Sequence, residues 1–83
     1  MPVQKRGSEG TDVFRLQEQL KEIGFYKWRV DGAFGLGTEA AVRAFQEDNG
    51  LEVDGIVGPL TWEAVFRERE ADEGSGGDPM GAL

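Results

Sequence analysis

Two aspartates, Asp31 and Asp54, hold matching places in this sequence and are the first candidates for chemistry. Each is followed by glycine, and the twelve-residue stretch that begins at Asp31 recurs 23 positions later, beginning at Asp54. A pair of carboxylates can hydrolyse a glycosidic bond when the two face each other across a cleft at about 5 to 9.5 Å. In a duplicated turn, however, each aspartate is better placed to accept hydrogen bonds from its own backbone. We therefore expect structural roles for both.

The surroundings of these aspartates also argue against a calcium site. A calcium-binding loop needs oxygen donors at alternating positions ahead of a glycine. In the first copy two of those positions hold the cations Lys27 and Arg29, and in the second copy one holds Gly50. The remaining carboxylates do not complete a calcium cage, and the chain has no His or Cys for a transition metal. We expect neither a metal nor a cofactor.

The densest aromatic and basic stretch, residues 25–30, lies directly before Asp31 and is called the aromatic loop. It combines three aromatic residues with two cations in six positions. Aromatic rings offer flat apolar surfaces, and the planar guanidinium of Arg29 can hold a carboxylate through two hydrogen bonds. The structural alternative is that Phe25 fills the core, Trp28 covers the first helix as a lid, and the cations are solvated.

The two copies of the repeat, residues 31–42 and residues 54–65, are called the first unit and the second unit. Each is expected to be a tight turn followed by a helix, because a short internal repeat indicates a duplicated supersecondary element. Pro59 supports a helix start, since proline is tolerated at the first helical position. The residues predicted to form the turns and helix caps are Asp31, Gly32, Gly35, Thr38, Asp54, Gly55, Gly58 and Thr61. Both threonines are expected to accept from a free backbone N–H or to donate to the aspartate of their unit.

Hydrophobic spacing predicts three helices. The first begins at Thr11 or the next residue and ends at Gly24, because apolar residues recur there every three or four positions. The second covers residues 36–48, where Gly37 weakens the first turn by about 1 kcal/mol or less, and the third covers residues 59–69. The residues expected to face the core are Val13, Leu16, Leu20, Ile23, Phe34, Ala41, Val42, Phe45, Val57, Leu60, Trp62, Ala64 and Val65.

The length of 83 residues is enough for one small domain. We predict an all-α fold, a small three-helix bundle with two duplicated Asp-Gly turn-helix units. Residues 1–10 are assigned to a flexible N-terminal segment and residues 11–69 to the domain. Residues 70–83 are assigned to a disordered acidic Gly-rich tail, because their composition cannot bury a core.

The formal net charge of −7 limits the partners. Such a chain lacks the basic surface of a nucleic-acid binder and is not attracted unspecifically to anionic lipid. No stretch has the apolar length of a signal peptide or a membrane span. The absence of His and Cys removes the commonest general base and the thiolate nucleophile, so we expect no enzyme.

An ordered set of short motifs resembles the small three-helix peptidoglycan-binding domain of bacterial and phage cell-wall hydrolases. The resemblance extends from about Lys5 to Phe66. Its motifs are, in order, Gly7-Ser8-Glu9-Gly10-Thr11-Asp12-Val13, Leu16-Gln17, Leu20, Gly24-Phe25, Asp31-Gly32-Ala33-Phe34-Gly35, Thr38, Ala41-Val42, Phe45-Gln46, Gly50-Leu51, Asp54-Gly55-Ile56-Val57-Gly58 and Thr61-Trp62. Position 36 departs from the family pattern, with Leu where Pro is frequent, so we expect a more mobile start of the second helix.

The resemblance implies a non-catalytic module that binds peptidoglycan and anchors a linked or associated hydrolase or other effector to the wall. Peptidoglycan offers sugar faces and, in its stem peptides, amides and carboxylates, so a binding surface needs aromatic rings, hydrogen-bonding side chains and cations. The predicted ligand-binding residues are Tyr26, Lys27, Trp28, Arg29, Gln46 and Asn49. Gln46 and Asn49 can equally brace the local backbone.

The alternative is that the same fold serves as a protein–protein docking module, in the cytoplasm or on a phage or secretion particle. An exposed apolar patch centred on Phe14 or Phe66 would favour docking. A wall-binding module is expected in the cell wall, the periplasm or the extracellular space if it is part of an exported protein. Without a signal peptide in this chain, a cytoplasmic or phage-delivered protein is also consistent with the sequence.

Overall fold

A computed structural model describes residues 3–67 of the chain. Helix α1 spans Thr11–Glu22, α2 spans Leu36–Asp48, and α3 covers residues 59–67. Within this described part there is no β-strand, only two isolated antiparallel bridges. The predicted all-α fold, three helices with two turn–helix units, is confirmed. The predicted acidic tail and the last two residues predicted for the third helix lie outside the described residues.

The core lies where the three helices and the two turns meet. Val13, Leu16 and Leu20 place one stripe of α1 in it, and each is completely buried, as the helical spacing predicts. Phe45 of α2 is also completely buried, and truncating such a side chain to alanine typically costs about 3 to 5 kcal/mol. The other buried apolar residues are Tyr26, Phe34, Ala41, Val42, Val57, Trp62 and Val65.

Leu60 contradicts the prediction that it faces the core, because its exposed fraction is 71%. The buried positions of α3 are Thr61, Trp62 and Val65. Successive helical residues are rotated by about 100°, so Leu60 lies on the face opposite to this set. The hydrophobic pattern failed here because a threonine, and not the leucine, occupies the inward position.

Glycine follows both long helices in the same way, as the sequence predicted for Gly24. Gly24 and Gly50 have φ angles of +95° and +72°, in the left-handed region that glycine enters without strain. The residue after each glycine donates its N–H to the carbonyl five positions earlier, at 2.7 Å after α1 and 2.8 Å after α2. These bonds are typical of a Schellman motif and satisfy carbonyls that the helix end would leave unpaired.

The segment before α1 runs alongside both turns. The backbone of Gln4 exchanges two hydrogen bonds with that of Val57 in the second unit, at 3.1 and 2.8 Å. Residues 7–10 form three backbone hydrogen bonds with residues 32–34 of the first unit. The sequence assigned residues 1–10 to a flexible segment outside the domain. Because these contacts connect the segment to both units, we propose that the domain begins near Gln4.

Candidate binding site

Gln17 of α1 holds the turn of the first unit in place from inside. The residue is completely buried. Its Oε1 accepts the N–H groups of Asp31 and Gly32, at 3.0 and 2.8 Å. Its Nε2 lies within hydrogen-bond distance of Asp31 Oδ1 at 3.1 Å, the Ala33 carbonyl at 2.9 Å and Thr38 Oγ1 at 2.8 Å. An amide nitrogen carries two hydrogens, so these acceptors share them.

Gln46 of α2 makes the same contacts with the second unit. Its Oε1 accepts the N–H groups of Asp54 and Gly55, at 3.2 and 3.0 Å. Its Nε2 donates to Asp54 Oδ1 at 3.0 Å, the Ile56 carbonyl at 3.0 Å and Thr61 Oγ1 at 3.2 Å. One buried glutamine on the preceding helix therefore fixes each turn.

The burial of Gln46 corrects its assignment to the ligand-binding residues. Its exposed fraction is 1%, and both its amide atoms are engaged within the second unit. We therefore remove it from the candidate binding surface. The matching role of Gln17 was not predicted. The available signal was the order Leu16-Gln17 and Phe45-Gln46, in which a glutamine follows a core residue in each helix.

Each aspartate accepts a hydrogen bond from its own turn. Asp31 Oδ1 accepts the N–H of Ala33 at 3.0 Å, and Asp54 Oδ1 accepts the N–H of Ile56 at 2.9 Å. This backbone bond is the main reason that the pKa of each carboxyl lies below its usual value, followed by the bond from the glutamine amide. Both carboxylates therefore take part in turn structure.

The two threonines make a contact that the sequence did not predict. Thr38 and Thr61 are buried, and each hydroxyl accepts from the glutamine amide instead of a backbone N–H. Thr38 donates to the carbonyl of Ala33 at 3.5 Å and not to the aspartate. The threonines are thus partners of the buried glutamines at the start of each helix.

The glycines of the two units differ in their roles. Gly32 and Gly55 have φ angles of +77° and +74°, which explains glycine after each aspartate. Gly35 is the N-cap of α2, without a capping side chain. The carbonyls of Gly35 and Gly58 each accept the N–H four residues later at 2.9 Å, so both stand at a helix start.

The aromatic loop is anchored by Tyr26 and exposes Trp28. Tyr26 is buried, and its hydroxyl donates to the carbonyl of Arg29 at 2.5 Å and accepts from Gln17 at 3.3 Å. Trp28 is 55% exposed, and its ring centroid lies 5.9 Å from that of Tyr26. The loop therefore presents the ring of Trp28 to solvent, while the buried ring of Tyr26 packs beside it.

Trp28 lies over Gly37 at the start of α2. A Cβ atom on Gly37 would stand 3.1 Å from Cε3 and 3.3 Å from Cδ2 of the indole, closer than an ordinary contact. Glycine therefore lets the ring pack directly on the helix backbone. Phe25, in contrast, packs inward, edge-to-face on Phe45 with centroids 5.4 Å apart.

The cations of the loop flank Trp28 in the sequence, whereas Asn49 lies at the end of α2. Lys27 and Arg29 are exposed, and neither forms a salt bridge with any other described residue. Asn49 is exposed at the C-cap of α2 and donates its side-chain N–H to the carbonyl of Phe45 at 2.9 Å. Trp28 lies at the other end of this helix, which is about 20 Å long. The structure thus separates Asn49 from the loop.

A groove with a volume of about 340 Å³ lies beside Trp28 and is called the first groove. Its lining residues are Tyr26, Trp28, Asp31, Ala33, Gly35, Leu36, Gly37 and Thr38. The exposed indole offers a flat apolar surface, and the flanking loop positions carry two positive charges. This arrangement suits a ligand with a flat, weakly polar face and a nearby anionic group.

Of the two residues considered as centres of a docking patch, Phe14 is the exposed one. Its exposed fraction is 41%, and it borders a separate cavity of about 590 Å³ at the start of α1. Phe66 is half-buried and stacks on Trp62 with centroids 5.7 Å apart.

No helix within residues 3–67 is long and apolar enough to cross a membrane.

Comparison with known proteins identifies relatives along most of the chain. The model of a putative peptidoglycan binding domain matches residues 9–65. A spore cortex-lytic enzyme of Bacillus cereus is 46% identical over 69 residues, which is 83% of this chain and 27% of the enzyme. The N-acetylmuramoyl-L-alanine amidase CwlM of Mycobacterium tuberculosis is 46% identical over 57 residues, 69% of this chain and 14% of the amidase. The chain thus spans about a quarter or less of the length of these relatives.

Solved structures give the same result. The SleB N-terminal domain superposes with a TM-score of 0.80 at 48% identity, covering 81% of this chain and 92% of that domain. The endolysin of the Burkholderia phage AP3 superposes with a TM-score of 0.73 at 41% identity, covering 77% of this chain and 24% of the endolysin. The family model covers more than half of the chain, and the fold of the chain matches that of the SleB N-terminal domain. The chain belongs to the peptidoglycan-binding domain family.

Proposed function

We propose that this domain binds peptidoglycan at the first groove and so holds a linked or associated hydrolase or other effector on the cell wall. The observation that carries the proposal is Trp28, which is 55% exposed yet packed on Gly37 and Tyr26. An exposed ring that is already ordered loses little conformational entropy when a ligand covers it. Membership of the peptidoglycan-binding family supports the same ligand.

The positive charges of the aromatic loop support binding of the carboxylates of the polymer. Lys27 and Arg29 are exposed and outside any salt bridge among the described residues, so a carboxylate of a stem peptide can approach them without breaking a salt bridge. The charge of Arg29 also makes a small contribution to the lowered pKa of the neighbouring Asp31. Arg29 can contact such a carboxylate through two parallel hydrogen bonds. Because these charges face solvent, added salt weakens their contribution.

Anchoring, and not catalysis, is the role that the site chemistry favours. Asp31 and Asp54 each accept backbone hydrogen bonds within their own units, and the chain lacks His and Cys. A weak module can still be effective, because linkage to a second wall-binding or wall-cutting domain raises the local concentration of both. We place the action of the domain at the cell wall, in the compartment that its parent protein reaches.

Co-sedimentation with insoluble peptidoglycan sacculi tests this function. We expect the wild-type domain to leave the supernatant, and Trp28→Ala to weaken its binding about tenfold or more, as truncation of a central aromatic contact does. Arg29→Ala should weaken binding less, and its effect should shrink at high salt. Circular dichroism confirms that each variant is folded.

Two matched variants control for nonspecific effects. Arg15→Ala removes an exposed cation from α1, and Phe14→Ala removes an exposed ring from the same helix. Both should sediment like the wild type. If the wild type stays in solution with sacculi of several wall types, or if Phe14→Ala alone reduces sedimentation, binding through the first groove is wrong.

The exposure of Phe14 beside the cavity at the start of α1 favours one alternative, a protein–protein docking module. That function predicts no retention on sacculi. It also predicts that Phe14→Ala, and not Trp28→Ala, weakens the interaction with a protein partner. The same pair of variants therefore separates the two functions.

A further inference from the structure

The second unit carries its own groove, with a volume of about 210 Å³, which we call the second groove. Its lining residues are Val3, Gln46, Leu51, Glu52, Asp54, Ile56, Gly58, Pro59, Leu60 and Thr61. Seven of these positions lie 23 residues after positions that line the first groove, and Leu51 is the counterpart of Trp28. The duplication has therefore produced the same surface concavity twice.

One repeat position gives the two grooves different shapes. Gly37 lies under the indole of Trp28, whereas its counterpart Leu60 is 71% exposed. A leucine here occupies space that would otherwise be available to an aromatic ring. Ile56 and Val3 add further exposed aliphatic surface, with exposed fractions of 38% and 54%. The second groove is thus aliphatic where the first is aromatic.

The charge of the second groove is opposite to that of the aromatic loop. Glu52 is exposed and forms no salt bridge with the other described residues. Asp54 is also exposed, and its hydrogen bonds to Gln46 and Ile56 involve Oδ1. Arg43 forms an ion pair with Glu39, at 3.9 Å, and its charge also makes a small contribution to the lowered pKa of Asp54, so Glu52 is the carboxylate without a nearby cation among these groups. An aliphatic surface with two carboxylates suits a ligand that has an apolar stem and a positive end.

We propose that the second groove binds the free primary ammonium, carried on an unbranched aliphatic side chain, of the diamino acid in an uncross-linked stem peptide. The inference rests on the proposed function, because it assigns a second subsite on the same polymer. The methylene groups of the diamino acid would lie on Leu51, Ile56 and Leu60, with the ammonium beside Glu52. Cross-linking converts this amine into an uncharged amide, so the second groove discriminates against cross-linked stems.

Two probes distinguish the possible sources of the amine. They are L-alanyl-γ-D-glutamyl-L-lysine and the corresponding peptide with meso-diaminopimelate, each also prepared with its side-chain amine acetylated. Backbone amide resonances of the domain are followed by NMR during titration. We expect at least one free-amine peptide to shift resonances of residues 51–61, and its acetylated form to lose this effect.

Variants identify the groups that bind. Glu52→Gln should weaken the response of residues 51–61 by about two- to fivefold, the range for a solvent-exposed ion pair. Leu60→Ala should weaken it through loss of apolar contact. Glu18→Gln removes an exposed carboxylate from α1 and should have no effect.

Several outcomes would overturn the inference. They are equal shifts with free and acetylated peptides, shifts confined to residues 26–38, and shifts that follow protein concentration alone, which would indicate a second copy as the occupant. If sacculi retain the wild type but residues 51–61 do not respond to the peptides, the second groove fails and the proposed function stands. If these residues respond but sacculi do not retain the domain, anchoring fails and the subsite stands.

Discussion

The first and second units share an interior and differ at the surface. A buried glutamine on the helix before each unit contacts the same five backbone and side-chain atoms of that unit. Gln17 lies fourteen residues before Asp31, whereas Gln46 lies eight before Asp54. Of the six additional residues, three lengthen the helix before its terminal glycine and three lengthen the loop after it. This longer connection carries Trp28.

The difference indicates how one turn design can support two binding surfaces. The glutamine contacts need few residues and fix the backbone of each turn. The length of the preceding connection and the residue at position 37 or 60 are then free to vary. In the first unit they give a groove with an exposed aromatic ring beside a loop that carries two cations, and in the second an aliphatic groove with two carboxylates.

The largest expected effect comes from removing either glutamine. Gln17→Ala or Gln46→Ala removes the acceptor of two turn N–H groups and the amide that donates to the buried threonine, and each buried group that loses its partner costs about 1 to 3 kcal/mol. We expect the free energy of unfolding, measured by urea denaturation, to fall by about 3 kcal/mol or more in both variants. Asn49→Ala, which removes one exposed side-chain bond, should cost less than about 1 kcal/mol. If only one of the two glutamine variants showed this fall in the free energy of unfolding, the conclusion that both turns are held in the same way would be wrong.

A smaller effect is expected at the position where the surfaces differ. Gly37→Ala gains helix propensity, about 1 kcal/mol at most, but pushes the indole of Trp28 away from α2. We expect little net change in stability, a shift in tryptophan fluorescence and weaker retention on sacculi. In a Trp28→Ala background, Gly37→Ala should stabilise the domain by about 0.5 to 1 kcal/mol and leave retention unchanged. A fall in retention in that background would show that Gly37 acts independently of the ring.

The smallest effect concerns pH and should be alike in the two units. The folded domain lowers the pKa of Asp31 and Asp54 through backbone hydrogen bonds, so ionisation of these groups favours the folded state. This contribution is present above about pH 4, the unfolded value, and is lost as the pH falls through the lower folded pKa. Asp31→Asn and Asp54→Asn should each reduce the acid loss of stability in urea titrations. No reduction for either variant would contradict this account of the turns.

The turns and most helical faces were predictable because their signals are local. Asp-Gly pairs, terminal glycines and apolar spacing each act within a few residues, and the repeat made them visible twice. The glutamine contacts were not predictable in this way, since Gln17 and Gln46 are separated by 29 residues while the turns are separated by 23. Leu60 was misassigned because its helix phase depends on Thr61, which a glutamine on another helix binds. The packing of Trp28 on Gly37 was also not predictable from local signals, because it joins the aromatic loop to the start of another helix.

The most direct test of the central claim uses the two tryptophans of the domain. Trp28 is exposed at the first groove, and Trp62 is buried in the second unit, so their indole N–H resonances report on two regions in one NMR spectrum. On addition of soluble peptidoglycan fragments whose diamino-acid side-chain amines are acetylated, we predict that the Trp28 resonance and the amides of residues 26–38 shift while the Trp62 resonance does not. An unchanged Trp28 resonance, with shifts around Phe14 instead, would contradict wall binding through the first groove.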